Sequence, residues 1–352
     1  MAAVLLACLS AALFGAMAVA VRFALRSHDD PELGSLAMST IALAVTGAIA
    51  LAARPAFDLG EVWPFLVAGA IAPGVSQILF VRAVREAGAA RTSVLMGTAP
   101  LVAVAIALTF LDEPVSAALL VGAALIVAGG FALANERVRP EDFRRLGVLF
   151  AVGATVLFAV RDNVLRAIAR DTTVDALVAA PFSLLAGATT VALYLVVTRR
   201  GAWGRGYGTT LRAFLPAGLL FGLSYTALFQ AYYRGRVSVV APLVATESLW
   251  GVAFSALLLR RTELVGRRLV AGAILIVAGG VLIGASADSA NAGRPPARDH
   301  AAPGTTLVLA KASSLGRGRV RPWLGARSPE TRQHRRKRHS DNPGHGLAER
   351  AR

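Results

Sequence analysis

Apolar runs about as long as a bilayer is thick recur along the first 285 residues, parted by short clusters of charge, proline and glycine. A helix that crosses hydrocarbon needs about 20 mostly apolar residues. Windows of that kind fall at 2–21, 35–53, 64–84, 92–110, 117–134, 147–165, 176–197, 214–233, 238–259 and 268–285. Turn and charge signals mark the breaks: Ser27 to Pro31, Arg54 and Pro55, Leu111 to Pro114, Asn135 to Leu146, Thr198 to Arg212, and Arg260 to Glu263. The first window lacks a basic leader and runs on to the second, so it reads as a retained helix. The pattern predicts an all-α polytopic membrane protein of ten transmembrane helices.

Two stretches nearly repeat. Gly122 to Gly130 (GAALIVAGG) returns as Gly272 to Gly280 (GAILIVAGG), with Ala124 replaced by Ile274. At the same offset Glu113 falls on Glu263, Val115 on Val265 and Leu119 on Leu269. The duplication reaches further: Phe14, Arg22 and Arg26 match Phe158, Arg166 and Arg170, and Ser76 and Ala83 match Ser224 and Ala231. Each half holds an odd number of windows, so the second copy is expected to be inverted in the membrane. Inverted pairs frame a site near the midplane and give alternating access. The expected organisation is a five-helix repeat over 1–134, a linker over 135–146, a second repeat over 147–285, and a disordered basic tail over 286–352.

Composition agrees with lipid. The chain is 55% hydrophobic and 16% charged, with a mean hydropathy of +0.59, whereas soluble domains carry about 25% charged residues. The net charge of +16 would suggest nucleic acid in a soluble protein. Here more than half of it sits in the tail, which also holds both lysines and four of the five histidines. No nucleic-acid partner is expected, and no histidine-built metal or catalytic site. The lone Cys8 excludes an internal disulfide. Most arginines of the body follow odd-numbered windows, which the positive-inside rule assigns to the cytoplasm. That choice puts both termini outside. The run from His334 to His339 favours an inner, anionic lipid surface instead, and the two orientations stand side by side.

Five-plus-five helices, each half closing in a loop Glu followed by Gly-x-x-Leu-Ile-x-x-Gly, resemble the drug/metabolite transporter superfamily, its EamA-type branch in particular. The closings are Glu113 with Gly122 to Gly129, and Glu263 with Gly272 to Gly279; Pro100 also fits the pattern. The resemblance spans residues 1–285. It implies a multi-pass carrier in the plasma (inner) membrane, often an exporter of amino acids or related metabolites, with both termini cytoplasmic. Trp250 stands where the second half would match Pro100, so any proline break there has moved to Pro242.

Several polar residues interrupt the apolar windows. Glu247, near the middle of the ninth, is the sharpest candidate, because a central carboxylate costs on the order of 2.5–3.5 kcal/mol unless hydrated or paired. It suits proton coupling or amine binding; the structural alternative is an ion pair with Arg82 or Arg161. Arg161, Asp162 and Asn163 fall where the first copy has Met17, Ala18 and Val19, which suggests an asymmetry put there for a substrate. The alternative is that the sixth helix ends early and leaves them interfacial. Pro73, Ser76 and Gln77 join a lost backbone donor to polar groups in the third window. Tyr225 and Trp250 are candidates to shape the pocket, Trp250 one turn from Glu247, while Tyr232 and Tyr233 read as interfacial. Glu113 and Glu263 read as helix-capping acids.

The expected activity is secondary transport of a small organic solute such as an amino acid or amine, with the proton as candidate coupling ion. Membrane lipid is the expected environment, a second copy of the chain is a candidate partner, and no cofactor is expected. The rival readings are a membrane-embedded lipid-modifying enzyme and a membrane scaffold acting through its tail.

Overall fold

The computed structural model describes residues 1–102, 117–135, 143–199, 204, 206–235, 237–259 and 265–292. They lie in one compact unit, Met1–Pro295. Among the described residues the long regular elements are all helices: α1 (Ala2–Ser27), α2 (Pro31–Ala53), α3 (Trp63–Gly69), α4 (Ser76–Ala87), α5 (Ala89–Met96), α6 (Ala117–Ala134), α7 (Arg145–Asp171), α8 (Ala176–Arg199), α9 (Tyr207–Ala213), α10 (Leu215–Arg234), α11 (Val237–Ala245), α12 (Glu247–Leu258) and α13 (Arg267–Ala292). Lipid offers peptide groups no partner, so helices are what a spanning chain of this pattern can form.

Six segments are long and apolar enough to cross a membrane: Ala2–Ser27, Pro31–Ala53, Trp63–Ala87, Arg145–Ala169, Ala176–Arg199 and Val240–Leu258. The pair α9 and α10, bent by 64°, makes a seventh if taken as one span. Helices α6 and α13 lie over the fifth and tenth expected windows, and the fourth window is described only as far as residue 102. Three boundaries differ from expectation. Helix α7 runs to Asp171 instead of stopping near 165, so Arg161 and Asp162 are interior to it. The stretch Tyr207–Ala213, expected as loop, is helical. Helix α13 extends to Ala292, past the expected start of the tail, and the remainder of the tail (residues 293–352) lies outside the described residues, as do Glu113 and Glu263.

Local chemistry explains the ends and breaks. Asp30 caps α2 by accepting from the Leu33 N–H at 3.0 Å, with Pro31 and Glu32 in the first turn. The helix stops at Arg54 in a left-handed conformation (φ 50). Between α3 and α4 a π-helical stretch, Ala70–Val75, holds Pro73, and Ala72 leaves helical geometry (φ −144, ψ 114). A proline inside a helix has no N–H to give and displaces the preceding turn.

Small residues set the contacts. A Cβ on Gly122 would stand 2.8 Å from the Gly279 carbonyl oxygen, and one on Gly129 2.7 Å from that of Gly272. In return, one on Gly272 or Gly279 would stand 2.9 or 2.5 Å from the carbonyl oxygens of Gly129 or Gly122. Thus the two copies of the repeated motif lie backbone to backbone and antiparallel. Helices α1 and α10 are clasped by Ser10 and Ser224, each hydroxyl donating to the other's carbonyl, at 3.0 and 2.9 Å. Gly69 backs on Ser183, and Gly187 on Pro73, where the broken third segment crosses α8.

Two tests follow from this packing. Gly279→Val should lower stability by about 1–3 kcal/mol, because its side chain meets backbone. Gly130→Ala, with nothing within 4 Å of the added carbon, should be neutral or mildly stabilising. Thermal unfolding in detergent separates them; equal midpoints would contradict the close approach of α6 and α13. The second concerns Asp30. Burial alone would raise its pKa, but Arg199, whose guanidinium forks onto the carboxylate at 2.5 and 2.9 Å, and the Leu33 N–H bring it below its ordinary 3.8. The ionised form therefore favours folding, fully above pH 3.8, and the contribution fades as pH falls through the lower native value. The stability gap between wild type and Asp30→Asn should close only in that acid range. A gap that is constant with pH would contradict the pairing.

Candidate functional site

A polar cluster gathers side chains of α7 and α8 around α10, with Glu247 of α12 within electrostatic reach. Between two and three turns before its end at Asp171, α7 carries Arg161 and Asp162. Because α7 continues through this region, Arg161 points inward and its side chain is 4% exposed. Its Nε and Nη2 both donate to Asp162 Oδ1, at 2.9 and 2.6 Å. The guanidinium lies over two rings, 4.8 Å from the Phe158 centroid and 5.3 Å from that of Tyr225. A buried charge is tolerable when it is paired and stacked in this way. Arg161 Nη1 remains buried without a hydrogen-bond partner.

Each ring has its own support. Phe158 meets Phe14 edge-on at 6.0 Å, its counterpart in the repeat, and Phe14 meets Phe80 at 5.5 Å. Tyr225 packs on Phe221 and Phe229, and its hydroxyl shares a 2.8 Å hydrogen bond with Ser183 of α8. Tyr232, two turns along α10 from Tyr225, is buried with its hydroxyl directed at Asp162. It is not the interfacial tyrosine expected. Its spacing from Tyr225 was the available signal, since residues seven apart share a helix face. Ser183 left no signal in the sequence.

Glu247 opens α12, just after the turn at Thr246 that parts it from α11. A carboxylate in the first turn of a helix faces the positive end of the peptide dipoles. It is buried, and close enough for its charge to couple to Asp162 and Arg161. Among the described residues no hydrogen bond or ion pair holds it. The alternative partner Arg82 is bonded to Glu32 instead, at 2.6 Å. The break falls at Thr246, four residues after Pro242 and not at it.

The other candidates are placed differently. Asn163 donates to its own helix at the Ala159 carbonyl, 2.8 Å away. Trp250 is 41% exposed and stacks on Phe254, so it does not share the buried face of Glu247. Ser76 and Gln77 are fully buried at the start of α4, facing α2, where Gln77 Nε2 approaches Met38 Sδ at 3.7 Å. Ser76 Oγ and Gln77 Oε1 have no hydrogen-bond partner. Phe80, one turn beyond Gln77, connects this region to the Phe14–Phe158 stack.

Comparison with known proteins gives a family and a fold. Residues 1–134 match the EamA-like transporter family. No functionally curated protein matches the chain. A solved structure, described only as a crystal structure of a protein, is similar to 83% of this chain over 99% of its own length, with 22% identity and a TM-score of 0.56. At that identity the likeness carries the fold alone.

Asp162→Ala should lower stability by about 3–5 kcal/mol, because it leaves the Arg161 guanidinium buried without its counter-charge. Glu247→Gln removes a carboxylate that nothing holds and should leave the melting temperature unchanged or higher. Thermal unfolding of the two variants in one detergent compares them. Equal losses would show that Asp162 is not what stabilises Arg161.

Proposed function

Because residues 1–134 belong to the EamA-like transporter family, within the drug/metabolite transporter superfamily, we propose that this multi-pass membrane transporter is a secondary carrier of small amine-bearing metabolites, amino acids among them. Glu247 carries the reading. The Arg161–Asp162 pair is neutral as a unit, so Glu247 is the remaining buried charge at the cluster. A buried carboxylate of this kind is stable with a cation beside it or a proton on it. The cargo's amine and a proton then compete for one group, and exchange between them couples flux to the proton gradient. Arg161 Nη1 is a free donor for a cargo carboxylate, and Tyr225 and Tyr232 supply aromatic walls for the cationic end.

The scaffold we infer is ten spans in two inverted five-helix repeats, rocking about this cluster in the plasma (inner) membrane. The reciprocal approach of Gly122 to Gly279 and of Gly129 to Gly272 supports it, since a two-fold relation makes each contact occur twice with partners exchanged. The pairing of α1 with α10 and of α7 with α4 follows the same relation. So does direction: the end of α1 and the start of α7 both meet the end of α4, Arg22 at the Arg85 carbonyl and Arg144 at that of Glu86. Export is the direction the family resemblance favours.

The test is flux into proteoliposomes holding the full-length protein, offered a mixed pool of amino acids, amines and nucleosides across an imposed proton gradient. One amine-bearing class should accumulate and stop when the gradient is collapsed. Glu247→Gln, expressed at the wild-type level, should lose the gradient-driven part. Undiminished coupled flux in that variant would overturn the role of Glu247. No flux at all from folded protein would favour the enzyme or scaffold reading.

A further inference from the structure

Apart from Arg161–Asp162, the ion pairs among the described residues gather at one end of the bundle, where α1 turns into α2, α4 and α8 finish, and α7 begins. Arg199 forks onto Asp30 and reaches Glu32 at 3.0 Å. Glu32 also takes Arg82 at 2.5 Å, and Arg82 donates to the Tyr194 hydroxyl at 3.2 Å while lying over Phe150. A second chain begins beside it. Arg85 forks onto Asp29 at 2.8 Å, the Glu86 carboxylate meets Arg144 Nε at 3.4 Å, and the Glu86 backbone carbonyl accepts from the Arg144 backbone N–H at 2.8 Å. The α1–α2 turn, the start of α2 and the end of α4 are thereby tied to α8, to Phe150 of α7 and to Arg144 just before α7, across the two halves of the chain. At the opposite end, the described loops join the halves by one charge-assisted hydrogen bond, from Thr173 to Glu61.

We propose that this charged belt is the gate of its end. It shuts the path between the central cluster and the water on the α1–α2 side, and it comes apart whenever cargo passes that way. Its chemistry suits repeated opening. The side chains of Arg82, Arg199 and Asp30 are 31%, 32% and 28% exposed, so water can take over these three as a pair separates, while Glu32 and Glu86, at 11%, are the buried anchors of the closed belt. The Arg161 guanidinium, at 4%, has no such exchange available. The forked geometry gives the closed state a defined register. The inference rests on the carrier reading, since a gate needs a path.

The experiment measures access and flux separately. In a Cys8→Ser background, Asn163→Cys places a thiol beside the central cluster, and a membrane-impermeant thiol reagent is applied to vesicles of each orientation. Asp29→Cys, whose native side chain is 62% exposed, reports which side the belt faces. Arg199→Gln and Glu32→Gln should each raise labelling of the central thiol from the belt side by roughly fivefold and lower it from the other side, as a two-state equilibrium shifts. Two independent variants guard against one that fails to fold. Unchanged labelling from the belt side in folded variants, or none in any variant, overturns the gate. Shifted labelling in a protein that moves no solute keeps the gate and removes the carrier reading; proton-driven flux with labelling indifferent to the belt does the reverse.

Discussion

Inside hydrocarbon a helix has no hydrophobic reason to touch another helix, so contact must come from how closely backbones can approach and from what polar groups they share. The rest of this structure follows from that constraint. Glycine on glycine joins α6 to α13, serine on serine joins α1 to α10, and glycine backs on serine where α3 meets α8. These seams leave large apolar side chains such as Leu120, Phe131, Leu193 and Ile274 on the outside. A soluble protein would bury those and expose its serines; the inversion is the signature of a lipid solvent.

Against that background, the charges divide by what water can do for them. In the belt, Arg82, Arg199 and Asp30 are partly open to water, with Glu32 buried between the two arginines. In the central cluster, Arg161 is fixed by Asp162 and two aromatic rings, and Glu247 is buried without a hydrogen bond or ion pair among the described residues. In the carrier proposed above, one set is suited to opening and the other to recognising cargo. The two are joined by α7, which starts next to Arg144 in the belt and holds Arg161 further along.

Hydropathy reads lengths well and ends poorly. Most apolar windows have a helix over them because a run of about 20 apolar residues has few other solutions in lipid. The sixth window stops at 165 because Arg166 and Arg170 depress the hydropathy beyond it, whereas helical continuity depends on backbone hydrogen bonds that side-chain charge does not interrupt. Glu247 stood out because a lone acid in an apolar run is conspicuous. Ser183 did not, since a serine in a membrane helix is ordinary until its partner is known. Tyr232 was misread from its place near the end of a window, although its seven-residue spacing from Tyr225 put both on one face. The belt was invisible for another reason. Asp30 and Arg199 fall in stretches that read as loops and Arg82 reads as a possible partner for Glu247, so the pairing of Arg82, Arg199, Asp30 and Glu32 over long chain separations appears only in the fold.

The seam between Gly122 and Gly279 also bears on how the protein is made. As the ribosome delivers the chain from its N-terminus, α6 enters the bilayer with its glycine face open to lipid, and its mate is the last of the described helices to arrive. That face of α6 therefore waits, unmatched, through synthesis of every described helix between it and α13. During that interval the same flat face is available to an α6 from a neighbouring nascent chain. Biogenesis thus depends on the second half following promptly, and a truncated product would be left with a surface suited to the wrong partner.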